Sequence, residues 1–142
     1  MKQIVQKIIV AGIVIDNGKA LIIQRSGKDA FPDLWELPSG KRDDFEKSKD
    51  ALKREVKEET GLNIEPLVPV HVFEFRVEKE KEIRDSTQIS FLVKPVGKGQ
   101  VKLSKEHQNF AWVSKDGLNK YNLSTDTKNA IIKGFKYLRI SK

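Results

Sequence analysis

A chain of 142 residues is long enough to bury a core as one domain without disulfide or metal staples. The absence of cysteine excludes a disulfide framework, thiolate zinc sites and cysteine nucleophiles, and points to a reducing, cytoplasmic compartment. With 38% hydrophobic and 33% charged residues and a formal charge of +7, the composition argues against a disordered chain and favours anionic partners such as nucleotides.

Ile8 to Ile15 is β-branched and aliphatic but broken by Gly12, too short to cross a membrane and without a small-residue cleavage site. It reads as a strand, paired as a hairpin with Ala20–Arg25 through the tight-turn sequence Asp16-Asn17-Gly18-Lys19. Ser26 to Asp33 is a polar loop closing on Pro32, and Trp35-Glu36-Leu37-Pro38 is a short extended piece, because a residue before proline avoids helical angles. Ser39-Gly40 is expected to bend sharply. From Glu46 to Thr60 neither proline nor glycine intervenes, apolar residues recur at helical spacing, and Gly61 ends the helix.

After Pro66 and Pro69 the chain runs extended from Val70 to Val77, with His71, Phe73, Phe75 and Val77 on one face. Glu78–Asp85 is a charged hairpin tip, Thr87–Val93 a strand, Pro95–Gly99 a turn and Phe110–Val113 a short strand. Ser124–Leu138 is an amphipathic helix with Ile131, Phe135 and Leu138 on one side. The order is ββαβββα, without repeat or linker, so a single domain over residues 1–142 is expected.

The helix carries the chemistry. Glu46, Glu55, Glu58 and Glu59 fall within one short stretch of a net basic chain, and Glu55 and Glu59 lie one turn apart with Glu58 beside them. Like charges this close raise one another's pKa unless something positive intervenes, and hard oxygen ligands on a rigid element suit Mg²⁺ or Mn²⁺. Spacing alone leaves open a solvated helix of mixed charge, with Arg54 and Lys57 as ordinary partners.

The segment from Gly40 to Leu62 resembles the Nudix box: glycine, five residues, glutamate, seven residues, then arginine, glutamate, an aliphatic, any residue, two glutamates, any residue, glycine and an aliphatic. Gly40, Glu46, Arg54, Glu55, Val56, Glu58, Glu59, Gly61 and Leu62 occupy every specified position. At average residue usage, the seven fixed positions would agree by accident on the order of once in 10⁸. The resemblance extends to the hairpin, Arg25, the approach Trp35–Pro38 and the closing helix. It implies an α/β (α+β) Nudix fold, a mixed β-sheet sandwiched between helices.

The resemblance implies that Glu55, Glu58 and Glu59 bind Mg²⁺ (or Mn²⁺), with the main-chain carbonyl of Ser39 as a further ligand. Many relatives have glycine at that position. Arg54 would orient and charge-balance the carboxylates, and Glu46 would hold the loop or help bind metal. The usual Glu-x-Gly turn before Glu46 is replaced by Asp43-Asp44-Phe45. Glu106, in a loop before Trp112, matches a glutamate that joins the metal site or acts as general base in several MutT-like members; His107 is a bystander or a substrate contact. Glu58 or Glu106 would draw the proton from an attacking water. Arg25 is a candidate contact to the terminal phosphates. Phe31, Trp35 and Phe75 are candidates for stacking on a base.

The tyrosine expected seventeen residues past the box glycine in diadenosine polyphosphate hydrolases is replaced by Glu78, and the proline expected fifteen residues past it in ADP-ribose hydrolases is absent. A MutT-like (d)NTP pyrophosphohydrolase releasing a nucleoside monophosphate and pyrophosphate is therefore favoured. ADP-ribose, nucleotide-sugar and dinucleoside polyphosphate hydrolysis, RNA 5′-end hydrolysis and a nucleotide-sensing module without turnover stand as alternatives. The lysines are spread without an aromatic platform, which argues against nucleic acid as partner. No membrane partner is expected, and since small folds of this family often pair, a homodimer is carried as an expectation.

Overall fold

In the computed structural model, which describes residues 1–27, 31 and 33–140, the first apolar run becomes strand β1 (Gln3–Asp16). Val10, Ala11, Ile13 and Val14 of β1 are all fully buried. A strand covered on both faces has no reason to alternate with polar residues, which accounts for the unbroken run. On one face Val10 and Val14 join Leu21 and Ile23 of β2 (Lys19–Arg25) against Ala51, Leu52 and Val56 of helix α1 (Ser48–Thr60). On the other, Ala11, Ile13, Ala20 and Ile22 pack against Ala130 and Ile131 of helix α2 (Thr125–Ile140). Each fully buried Leu or Ile contributes about 1.5–3 kcal/mol by leaving water.

The remaining strands are β3 (Trp35–Glu36), β4 (Ser39–Lys41), β5 (Ile64–Glu78), β6 (Glu82–Pro95) and β7 (His107–Val113). They form one mixed sheet in the order β3-β2-β1-β6-β5, with β4 also paired to β1 and β7 to β2. The expected β1–β2 hairpin exists only at its tip, in the pairs Ile15↔Ala20 and Asp16↔Lys19. Asn17 and Gly18, both at positive φ, form its two-residue turn. Away from the tip, β1 takes β4 antiparallel on one edge and β6 parallel on the other, while β2 pairs with β7. At the fork the Gly12 amide donates to the Pro38 carbonyl at 2.9 Å.

Several boundaries differ from the sequence expectation. Ser39-Gly40 is a strand segment instead of a bend, because its backbone is claimed by β1. The charged hairpin tip shrinks to residues 79–81, since β5 and β6 pair down to Glu78↔Ile83. Strand β7 begins at His107, three residues earlier than expected, and a 3₁₀ helix spans Lys115–Lys120. Of the expected Ser26–Asp33 loop, residues 28–30 and Pro32 lie outside the described residues. Among the described residues, no helix is long and apolar enough to cross a membrane.

Candidate active site

Helix α1 starts at Ser48, not at Glu46, and the reason lies in the side chains around Glu46. The Arg54 guanidinium donates to both carboxylate oxygens of Glu46, at 3.0 Å from Nε and 2.9 Å from Nη2, and the Asp43 amide donates to the same group at 3.0 Å. These bonds, with Phe45 in a left-handed conformation at φ 63°, hold Glu46 outside the helix. They also hold its carboxyl at about 2, Arg54 being the larger cause. The helix has no side-chain N-cap, and the Arg54–Glu46 link takes its place as the anchor of the entering loop. At the other end Gly61, at φ 75°, returns its amide to the Lys57 carbonyl at 2.9 Å.

Arg54 ties the carboxylates of the helix together. It also donates to Glu55 at 2.8 Å and to the Lys41 carbonyl at 3.1 Å, and stands 3.5 Å from Glu58. Its guanidinium is held more firmly protonated by the bond to Glu46 first, then by Glu55. Glu55 lies against the backbone of Gly40: a Cβ built on Gly40 would collide with the Glu55 carboxyl. The glycine therefore serves close approach instead of a turn. Burial raises the Glu55 carboxyl, Arg54 opposes it, and Glu58 and Glu106 add to the rise.

Glu59 is the most enclosed of the set, with 8% of its surface exposed. Its Oε1 accepts the Ser39 amide at 2.8 Å. Burial nonetheless pushes its carboxyl up to about 9, with Glu36, Glu55 and Glu106 adding repulsion. A ring nitrogen of His107 and carboxylate oxygens of Glu59 and Glu106 all lie within 4.8 Å of one another. Nδ1 of His107 is buried and finds no hydrogen-bond partner among the described residues. Converging carboxylates, an orphaned nitrogen and a buried acid short of positive charge fit a divalent cation held mainly by oxygen.

A cleft of about 490 Å³ opens over these groups, lined by Arg25, Glu36, Ser39, Glu55, Glu58, Glu59, Phe75 and Glu106, with Lys41, Arg84, Gln88 and His107. Its volume falls in the range of small-molecule sites. Trp35 lines a smaller adjoining recess with Phe73, Phe75 and Gln88, and is held edge-on to Tyr121 with centroids 5.0 Å apart. Phe73 and Phe75 stack at 5.5 Å along one face of β5. Phe31 is 64% exposed, with the Arg25 guanidinium 5.8 Å from its ring centre.

Glu36 was not singled out from the sequence. It accepts Arg25 Nε at 3.1 Å and bonds Nε2 of His107 at 2.8 Å, so it connects β2, β3 and β7 at the cleft. The available signal was an acid set among apolar residues in a two-residue strand. Register brings the group together: Arg25 is the β-partner of His107, and the Ser26 amide donates to the Glu106 carbonyl at 2.9 Å.

A family model described as NUDIX domain matches residues 6–133. The chain is 29% identical over 131 residues to nucleoside triphosphatase NudI of Enterobacter sp. (strain 638), covering 87% of this chain and 92% of that protein. It is 31% identical over 123 residues to the 8-oxo-dGTP diphosphatase of Buchnera aphidicola subsp. Schizaphis graminum (strain Sg), covering 87% and 88%. The crystal structure of a MutT NUDIX hydrolase from Burkholderia pseudomallei superposes with a TM-score of 0.75 at 22% identity, over 91% of this chain and 98% of that one, and has the same mixed-sheet fold. With its glutamate helix packed beneath a cleft and the match running over most of its length, this chain belongs to the Nudix hydrolase family.

Proposed function

We propose that this Nudix hydrolase is a (d)NTP pyrophosphohydrolase that releases a nucleoside monophosphate and pyrophosphate. The observation that carries the reading is a cleft lined by Glu36, Glu55, Glu58, Glu59 and Glu106 beside an aromatic recess, with Phe75 lining both. That combination suits a phosphate tail joined to a base. The relatives named nucleoside triphosphatase and 8-oxo-dGTP diphosphatase support the same class.

A bound Mg²⁺, or Mn²⁺ in its place, would neutralise the diphosphate and polarise the phosphorus under attack. Glu55, Glu58, Glu59 and Glu106 would hold it, with the Ser39 carbonyl. Arg54 keeps Glu46 and Glu55 in place by the bonds described above. Glu58 or Glu106 takes the proton of the attacking water; both line the cleft. Arg25, braced by Glu36, stands beside the phosphates, and Trp35 and Phe75 face the base. Because phosphoryl substitution needs little covalent help, positioning and charge neutralisation supply most of the acceleration.

The catalytic unit is taken as one domain over residues 1–142, both apolar clusters sharing β1 and β2. The cysteine-free sequence supports a cytoplasmic location, and a homodimer stays part of the proposal, to be checked by light scattering.

Purified protein with Mg²⁺, with and without chelator, would be assayed against ordinary and oxidised dNTPs, ADP-ribose, nucleotide sugars, dinucleoside polyphosphates and triphosphorylated RNA. Fastest turnover of a nucleoside triphosphate, abolished by chelator, is expected. Turnover of ADP-ribose or a dinucleotide faster by orders of magnitude would overturn the reading.

A further inference from the structure

The cleft carries cations from two parts of the sheet, and their counter-charge is unequal. On β2, Arg25 Nε and Nη2 both meet one oxygen of Glu36, at 3.1 and 3.0 Å, so this guanidinium is matched by a neighbouring carboxylate. The second group comes from β1, β4 and β6. Lys41 of β4 and Arg84 of β6 line the cleft. Ile9 of β1 is the register partner of both Lys41 and Gln88, while Lys7 of β1 pairs with Ser86. Arg84, Ser86 and Gln88 share one face of β6, because alternate residues of a strand do, and Lys7 lies on that face beside Ser86. Glu82, also on that face, meets Arg84 at 2.6 Å. Its carboxyl is held below the usual range by Arg84 first, with Lys7 and Lys41 contributing. Lys7, Lys41 and Arg84 therefore share one carboxylate, whereas Arg25 holds one oxygen of Glu36 while the other oxygen bonds His107 Nε2.

A nucleoside triphosphate has more charge than the metal end of the cleft can neutralise. With the diphosphate unit at the glutamates and the base on the Phe73–Phe75 face, the terminal phosphate needs a cation whose charge is not already spoken for. We infer that Lys41 and Arg84, backed by Lys7, form the subsite for the terminal phosphate and make the enzyme selective for triphosphates over diphosphates and over sugar-linked diphosphates. This rests on the nucleotide-hydrolase reading above. It also narrows the expected role of Arg25 to the inner phosphates, since its charge is shared with Glu36. A neutral sugar in the place of the terminal phosphate would find a cationic wall with nothing to pair.

The test compares kcat/KM for a dNTP and for the dNDP of the same base in wild-type protein, Lys41→Gln, Arg84→Gln and the double variant. A charge-assisted phosphate contact is worth about tenfold or more. The triphosphate-to-diphosphate ratio is expected to fall about tenfold in each single variant and about a hundredfold in the double, through KM more than kcat, with Arg84→Lys recovering part of the loss. Glu82→Gln should move the other way and lower KM for the triphosphate, which a merely structural role for the group would not do. An unchanged ratio in the double variant overturns the inference. A second readout needs no turnover: calorimetric binding of inorganic triphosphate to protein in chelator should weaken at least tenfold in the double variant. Equal affinity there counts against the subsite even if the nucleotide-hydrolase reading itself were lost.

Discussion

The Ser39 amide donates a 2.8 Å hydrogen bond to Oε1 of Glu59 and so joins strand β4 to the last turn of helix α1 at the floor of the cleft. This bond fixes the orientation of a carboxyl that burial has lifted to about 9. A divalent cation bound beside it would supply compensating positive charge. Glu59→Gln should keep the fold, since an amide oxygen can still accept from Ser39, yet lower kcat/KM by at least about a hundredfold, more than is usual for losing a mere support of a metal ligand. Steady-state assays alongside circular dichroism check this; near wild-type turnover would remove Glu59 from the centre of the site.

Cation binding should release protons. Near neutral pH the Glu59 carboxyl holds its proton, and the cation must displace it. Calorimetric titration with Mg²⁺ in buffers of different ionisation enthalpy is expected to give close to one proton released per site at about pH 7. Stability follows the same sign. A carboxyl raised from 4.5 to about 9 makes the metal-free fold lose stability as pH rises across that window, and added Mg²⁺ should restore it. Melting curves in chelator that rise with pH there would contradict the assignment.

Glu46 has the opposite sign. With its carboxyl held at about 2 by Arg54 and the Asp43 amide, it favours the fold above the ordinary carboxylate value, and that contribution fades as pH falls from 4.5 toward about 2. Arg54→Ala should flatten the acid limb of the stability profile and reduce activity together, because the same guanidinium positions Glu55. An acid limb identical to wild type would show that the Glu46 link contributes nothing.

Gly40→Ala tests close packing directly. The added methyl meets the Glu55 carboxyl, which must swing away. Displacement of a catalytic group by about 1 Å is commonly worth about a hundredfold in rate, so a loss of that order with little change in melting temperature is expected. Full activity would mean that the position of Glu55 is not critical.

Phe45 is fully exposed and sits at φ 63°, where a side chain with Cβ is strained by about 1–2 kcal/mol. Phe45→Gly relieves this but gives the unfolded chain more freedom, leaving a net gain of about 0.5–1 kcal/mol, seen as a melting temperature higher by a few degrees. A lower melting temperature would show that Phe45 makes a stabilising contact.

The glutamate helix was legible because its residues are local: Gly40 to Leu62 carries the box in a single stretch, and Gly61 announces the helix end. The cleft around it was less so. Glu36, Lys41, Arg84 and His107 reach the same cavity through pairings between strands far apart in sequence, above all the parallel β1–β6 ladder and the Arg25↔His107 register. Strong turn signals at Asn17-Gly18 predicted a hairpin and were right only at the tip, because tertiary pairing of β1 with β4 and β6 outweighed the local preference. The start of α1 shifted for a similar reason: helix propensity at Glu46 yields to two bonds from Arg54 and one from Asp43.

The most direct test of the central claim is product analysis by phosphorus NMR, with wild-type protein and Glu59→Gln given the same dNTP and Mg²⁺. Wild type is expected to yield nucleoside monophosphate and pyrophosphate, and neither is expected from the variant or from wild type in chelator. Equal product from all three, or orthophosphate with a nucleoside diphosphate in place of pyrophosphate, would contradict it.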